Sequence, residues 1–285
     1  MVRIVSHGKS LHSSEFHEKK RKVIRRRRIL GVVIVIVFVI LPILVLRMER
    51  LRVTEVEVTG TSILTPEEVV RVVEELISRS YLWVIPKDSL ILLPRKEIRN
   101  KLLTELPRIK SLELNLIDVK TLNVSISERQ PSALYCDQVE GIIQSSDCYF
   151  LDEDGFIYAS APSYSGDVYF IYTRSHSVDE PLGQSLLPKE VFVVLVEFVN
   201  ELENLGVSPK VLEITNQNES QSGKYTLHLV NAGRIFWDSE DSLDLVRSNL
   251  ESFLISDIVS SNPDFLKQVE YIDLTIPNKV YWVSK

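Results

Sequence analysis

The residues best suited to chemistry in this chain are its two cysteines, Cys136 and Cys148, and its five histidines. Two cysteines can hold a metal, act as a redox pair or join in a structural disulfide. Their spacing is not Cys-x-x-Cys and no histidine lies near them in the sequence, so neither a metal site nor a redox pair is indicated. A disulfide between them is expected if this part of the chain reaches an oxidising compartment.

The histidines and acidic residues form no recognisable catalytic set. Three histidines lie five residues apart in the polar N-terminal tail, and His176 and His228 stand alone further on. The sequence DEDG at 152–155 is shorter than a calcium-binding loop and predicts a turn. No hydrolase, zinc-protease or phosphate-loop motif follows residue 46. We therefore expect a protein that is not an enzyme and that uses no cofactor or metal.

The compartment follows from an apolar stretch near the N-terminus. Residues 29–46 carry no charged side chain, and 18 helical residues are about 27 Å long, close to the ~30 Å apolar thickness of a bilayer. The basic segment before them predicts a cytoplasmic N-terminus. The stretch exceeds the core of a cleaved signal peptide and lacks a small-residue cleavage site, so we interpret it as a retained anchor. The later residues are then extracytoplasmic, which favours the Cys136–Cys148 disulfide.

Charge is distributed unevenly along the chain. Ten of the 33 basic and two of the 39 acidic residues lie in 1–28 and none in 29–46, which leaves 23 basic and 37 acidic residues in the remainder. A portion with a net charge of −14 repels nucleic acid, so no nucleic-acid partner is expected. We interpret residues 1–28 as a basic cytoplasmic tail beside the membrane lipid that surrounds residues 29–46.

Hydrophobic periodicity predicts two domains after the anchor. Residues 50–127 give the order strand, helix, helix, strand, strand, with a helix starting at Pro66. The apolar linker 81–93 between the helices has two interpretations, a loop folded over the small core or a membrane-proximal surface, and we favour the loop. Residues 128–285 predict mostly antiparallel strands with flanking helices, and the chain closes with an extended segment. The fold class is therefore α+β.

Several motifs in this order resemble the FtsQ/DivIB family of bacterial cell-division proteins. The segment ISERQPSA at 126–133 is similar to the family's E-R-x-P-x-A junction, and FLDEDGF at 150–156 is similar to its L-x-D-x-x-G hairpin. YIDL at 271–274 is similar to its C-terminal V-D-L-R strand, although Thr275 stands where an arginine is common. The motif residues are Glu128, Arg129, Pro131, Ala133, Asp152 and Gly155. The resemblance implies a POTRA domain at 50–127 followed by a β domain at 128–285.

The resemblance also implies a function. Members of this family are non-enzymatic scaffolds of the cell (inner) membrane at the division septum. They hold small coiled-coil membrane proteins of the FtsB/FtsL (DivIC) type and help to control septal peptidoglycan synthesis. A partner segment is expected to pair with the last strands of the β domain. The residues implied are Tyr271, Ile272, Asp273, Leu274, Val280, Tyr281 and Trp282.

Two other functions are compatible with the same elements. One is a membrane-anchored extracytoplasmic cell-wall enzyme, which a pocket of convergent His, Ser or Glu side chains would favour. The other is a POTRA-bearing chaperone for an outer-membrane barrel, which the single POTRA-like unit disfavours.

Overall fold

A computed structural model describes residues 14–81, 85–139, 142–162, 168–175, 180–215, 223–262 and 264–285. The fold is α+β, with one N-terminal apolar helix and two main sheets. His7, His12, His176 and linker residues 82–84 lie outside the described residues. The chain forms two compact units. The first consists of the residues up to 59 with 66–98 and 113–125, and the second of 60–65, 99–112 and 126–285.

Helix α1 covers Ser14–Leu46 and is longer than the apolar stretch. The basic residues immediately before residue 29 belong to the same helix, so the predicted boundary at residue 28 is a change of composition within one helix. From Arg21 to Leu46 the helix is long and apolar enough to cross a membrane, as a membrane anchor or a signal sequence would be. A 3₁₀ turn at Glu49–Leu51 follows it.

The first unit contains a three-stranded sheet and a short ribbon. Strand β1 pairs in parallel with β5, which also pairs with β4, and helix α2 packs against β1. Five apolar residues of α2 are buried because they recur on one helical face. The ribbon β2–β3 lies between the helices, where the sequence predicted only a linker. The elements are β1 Glu55–Thr59, α2 Pro66–Ile77, β2 Ser80–Tyr81, β3 Ile85–Pro86, α3 Arg95–Glu105, β4 Ile109–Leu116 and β5 Thr121–Glu128. Part of each of the last three, α3, β4 and β5, belongs to the second unit.

The second unit is built on a nine-stranded sheet in the order β14-β13-β12-β11-β10-β9-β6-β7-β8. Its strands are β6 Ala133–Val139, β7 Ile142–Leu151, β8 Ile157–Ser160, β9 Ile171–Arg174, β10 Pro209–Thr215, β11 Lys224–Leu229, β12 Arg234–Asp238, β13 Val269–Asp273 and β14 Tyr281–Ser284. Its helices are α4 Lys189–Asn204, α5 Leu243–Leu254, α6 Asp257–Ser260 and α7 Phe265–Gln268. Apolar residues of α4 and α5 join those of the strands in one core.

The sheet is mixed rather than uniformly antiparallel. Five neighbouring pairs are antiparallel, whereas β6–β9, β9–β10 and β12–β13 are parallel. Parallel neighbours need a long crossover, which is usually helical. Helix α4 supplies the crossover from β9 to β10, and α5 to α7 supply it from β12 to β13. The predicted majority of antiparallel pairs is therefore present, but the sequence did not reveal the parallel ones.

Candidate partner-binding edge of the nine-stranded sheet

The C-terminal segment folds back on itself and places its last strand at the border of the sheet. Strand β14 runs antiparallel to β13, with Ile272 opposite Trp282 and Asp273 opposite Tyr281. The connection is held by the Asp273 carboxylate, whose Oδ1 accepts hydrogen bonds from the Thr275 N–H at 2.9 Å and hydroxyl at 2.7 Å. This bond pattern is a short polar turn, and it positions β14 as the outermost strand.

The side chains of β14 are exposed although several are apolar. Tyr281 is 47% exposed, Trp282 37% and Val283 38%. The Trp282 ring meets the Phe265 ring edge-on, with centroids 5.0 Å apart. Beside it lies a cleft of about 200 Å³ whose apolar lining includes Ile258, Phe265 and Trp282. An exposed strand with aromatic side chains and an adjacent cleft can accept another extended segment.

The opposite border of the sheet is covered at the start of its edge strand. Strand β8 is paired on its inner side by β7. On its outer side the Ile157 N–H donates to the Gln184 carbonyl at 2.9 Å, and the Gly183 N–H donates to the Ile157 carbonyl at 2.8 Å. Within the described residues, β14 has no pairing segment along its outer side, whereas β8 is covered only at its first residue, Ile157. Strand addition is therefore expected at β14.

The seven residues predicted to bind a partner fall into different environments. Ile272 is 0% and Leu274 2% exposed, so both side chains belong to the core. Tyr271 stacks on Phe236 with ring centroids 5.5 Å apart, Asp273 holds the turn, and Val280 packs against the core. Tyr281 and Trp282 are exposed on the border strand. Only these last two present their side chains to an added strand.

The motif residue Glu128 anchors a loop rather than a ligand. Its Oε1 accepts backbone N–H groups of Ser62 at 2.7 Å, Ile63 at 3.0 Å and Leu64 at 3.0 Å. Burial by itself would raise the pKa of Glu128, but these hydrogen bonds to the carboxylate outweigh it and lower the pKa below the ordinary value. Glu128 is 8% exposed, so the ionised carboxylate is a buried acceptor that fixes residues 62–64.

Arg129 and Asp152 form a second structural pair. The guanidinium donates to the Asp152 carboxylate, donates to the Pro107 carbonyl at 3.1 Å and lies 3.9 Å from the centre of the Phe156 ring. The other Asp152 oxygen accepts the N–H of Phe156 at 2.9 Å. The arrangement ties the turn after β7 to the segment that enters β6, so the two family-like motifs act on each other.

Gly155 completes this turn. Its φ of +77° belongs to the left-handed region, and a Cβ placed there would come within 2.6 Å of the Phe192 ring. Both the conformation and the close approach require glycine. The remaining motif residues stand at the start of the β6–β7 hairpin. Pro131 is partly exposed, and Ala133 is 4% exposed and lies in the core.

The two cysteines are joined. Cys136 and Cys148 stand opposite each other on β6 and β7 and form a disulfide with their Cα atoms 4.1 Å apart. Cys136 is 0% and Cys148 5% exposed, and both pack in a small apolar cluster with Leu134 and Ile171. A buried bridge of this kind staples a hairpin.

No catalytic arrangement is visible in the described part of the chain. Among those residues no group of three or more His, Cys, Asp or Glu side chains has metal-binding geometry. His228 lies on β11, and its Nε2 is 3.0 Å from Glu213 Oε2 on the neighbouring strand. This is a partly exposed cross-strand pair of the type common on sheet surfaces.

Sequence reasoning missed several residues that shape these sites. The acceptor role of Glu128 depends on Ser62, Ile63 and Leu64, more than 60 residues away. The cover over β8 comes from residues 183–184, which carry no strand pattern. The turn signal Pro277-Asn278 was the one local indication that the last segment forms two strands rather than one.

Comparison with known proteins gives no assignment: no family model matches this chain, and no curated protein matches it.

Proposed function

We propose that this chain is a single-span membrane scaffold of the FtsQ/DivIB type, which holds small coiled-coil division proteins of the FtsB/FtsL (DivIC) type at the septum. Helix α1 is its retained anchor, with the basic residues on the cytoplasmic side and the residues after α1 outside. Through its partners the scaffold helps to control septal peptidoglycan synthesis. Residues 50–127 serve as the POTRA domain and residues 128–285 as the β domain.

The local architecture supports this proposal in two ways. The elements of residues 50–127 follow the strand-helix-helix-strand-strand order expected of a POTRA domain, with the ribbon β2–β3 added between the helices. The motif residues that carry the family resemblance also act together, since Arg129 of the first motif pairs with Asp152 of the second. A chance similarity of sequence would not require residues of the two motifs to contact each other.

The observation that carries the proposal is the open border at β14. An edge strand offers unpaired N–H and C=O groups to an incoming strand, and the opposite border at β8 is covered in part, at Ile157. Tyr281 and Trp282 provide the aromatic side chains that most often dominate binding energy at an interface. We infer that an extended segment of the partner pairs with β14 while the partner's coiled coil stays outside the sheet.

The test is binding of the cognate single-span coiled-coil proteins to the full chain in detergent. Replacing both Tyr281 and Trp282 with alanine should weaken capture by about tenfold or more, since two aromatic anchors are lost. Truncation after residue 269 is less informative because it also removes Ile272 and Leu274 from the core.

A matched control replaces two exposed valines of α4, Val191 and Val194, with alanine. These side chains are similarly exposed but lie away from the sheet border. The proposal predicts that the control binds as the wild type does. Equal binding by all three proteins, with unchanged circular dichroism, would remove β14 from the interface.

A further inference from the structure

The first unit carries exposed apolar side chains at one end only. Outside α1, its large hydrophobic residues with exposed side chains are Met48, Ile91, Leu92, Ile117 and Val119 among the described residues. Ile63, which is 66% exposed, stands alone in the segment 60–65 that belongs to the second unit. Ile91 is 65% and Ile117 57% exposed. Single exposed apolar residues are ordinary, but a group of them confined to one place marks a contact surface. We call these five residues the apolar end.

Backbone hydrogen bonds place the apolar end beside the exit of α1. The Leu90 N–H donates to the Leu51 carbonyl at 2.8 Å, which fixes the segment bearing Ile91 and Leu92. The N–H of Thr54 donates to the Lys120 carbonyl at 2.9 Å, which fixes the turn bearing Ile117 and Val119. Both attachment points lie within nine residues of the end of α1 at Leu46.

Strand direction gives the same placement independently. Strand β1 starts at Glu55, just after α1, and β5 runs parallel to it with Glu55 opposite Thr121. The turn that precedes Thr121 must therefore lie at the end of the sheet where the chain leaves α1. Thr59, at the far end of β1, is farther from this end by about 13 Å at 3.3 Å per residue.

The ribbon of the first unit lies close to the helix itself. Cα atoms of β3 come within 8 Å of Cα atoms of α1. Within the apolar stretch 29–46, only Ile43 and Leu46 are partly buried, and they are three residues apart on one helical face. The last turn of α1 is thus packed against the unit that follows it, which holds the apolar end close to the membrane boundary.

We propose that the apolar end is seated in the headgroup region of the leaflet through which α1 leaves the membrane, with Ile91, Leu92, Ile117 and Val119 in contact with lipid. This inference rests on the proposed retention of α1 as an anchor. Apolar side chains at this depth leave water for the interface between headgroups and acyl chains. Lys120 and Arg50 border the surface, and long basic side chains extend toward phosphate while their stems stay in the apolar layer.

The leaflet is the occupant favoured by the position of the surface. The end of α1 enters the bilayer boundary, so lipid reaches this surface without any further binding event. A protein partner would have to displace that lipid. Ile91 and Leu92 are 65% and 38% exposed, so these two side chains do not cover the core as the loop interpretation of the linker expected.

The experiment uses the full chain reconstituted in phosphatidylcholine vesicles, with one added cysteine carrying an environment-sensitive nitrobenzoxadiazole dye. The native cysteines do not compete because they are bridged and buried. The reporter sites are Ile91→Cys and Ile117→Cys, and the matched control in the same unit is Thr59→Cys. Lipids with a nitroxide near the headgroup serve as the quencher, and alkaline carbonate extraction tests separately whether α1 is integral.

The proposal expects blue-shifted emission and strong nitroxide quenching at positions 91 and 117, and neither at position 59. Quenching that is equal at all three sites, or absent at 91 and 117 in a carbonate-resistant protein, would overturn it and leave the anchor intact. A blue shift without nitroxide quenching would show cover by protein, such as a second copy, and would also overturn it. Release of the protein by carbonate would refute the anchor and this inference together.

Discussion

The substitution Glu128→Gln is the sharpest test of how the motif residues act. Glutamine keeps the shape of the side chain and one acceptor oxygen but loses the charge that three backbone N–H groups now face. A hydrogen bond to a charged group contributes about 1 kcal/mol more than a neutral one, so three bonds favour the carboxylate by about 3 kcal/mol. The cost of burying the charge offsets part of this, which leaves a loss of about 1–2 kcal/mol.

The difference in stability between the wild type and Glu128→Gln should also depend on pH. The folded-state pKa of Glu128 is lowered, so its contribution to stability is present above the unfolded pKa of about 4.3 and is lost as pH falls through the folded value. Glutamine does not titrate. The difference in stability between wild type and variant should therefore be full at about pH 7 and should disappear under more acidic conditions.

Thermal unfolding of the full chain in detergent, followed by circular dichroism, measures this difference. A loss of about 1–2 kcal/mol corresponds to a midpoint lower by about 2–8 °C for a unit of this size. The matched control is Glu113→Gln, which changes an exposed carboxylate on β4 and should shift the midpoint little. The reasoning fails if both variants melt alike at neutral pH, or if the Glu128→Gln deficit persists unchanged in acid.

Two further sets of substitutions are tested by the change in the free energy of unfolding. Replacing Cys136 and Cys148 with serine should lower the free energy of unfolding by about 3 kcal/mol, because the bridge closes a short loop in the unfolded chain. Free thiols in the native protein would contradict the bridge. Gly155→Ala should be clearly more destabilising than Gly206→Ala, because both glycines have positive φ but only the first would drive a Cβ into Phe192. Urea unfolding compares the two variants, and equal losses would show that backbone strain alone matters.

Local sequence patterns predicted most elements of both units. Helix α2 begins at Pro66, as predicted, and helix α3 follows it in the predicted order. The two cysteines form the expected disulfide, which joins β6 to β7. These features depend on residues within one element or in adjacent elements. Local sequence patterns are therefore enough to predict them.

The candidate site was predicted less completely. The last segment has an extended pattern, but the pattern does not say that it folds back into two strands or which of them is outermost. As a result Ile272 and Leu274 were grouped with Tyr281 and Trp282, although the first two are in the core. Alternation identifies two faces of a strand, whereas exposure also depends on which neighbour covers each face.

By itself the sequence determined an apolar N-terminal helix, an acidic C-terminal portion, an α+β class and the order of the main elements of residues 50–127. Tertiary structure alone decided that β14 is an open border while β8 is covered at Ile157. It also decided that Glu128 accepts three N–H groups from distant residues, and that the exposed apolar residues of the first unit lie at one end. The physical reason is that element type follows from local conformational preference and periodicity. Edges, buried acceptors and surface patches are created by contacts between residues far apart in the chain.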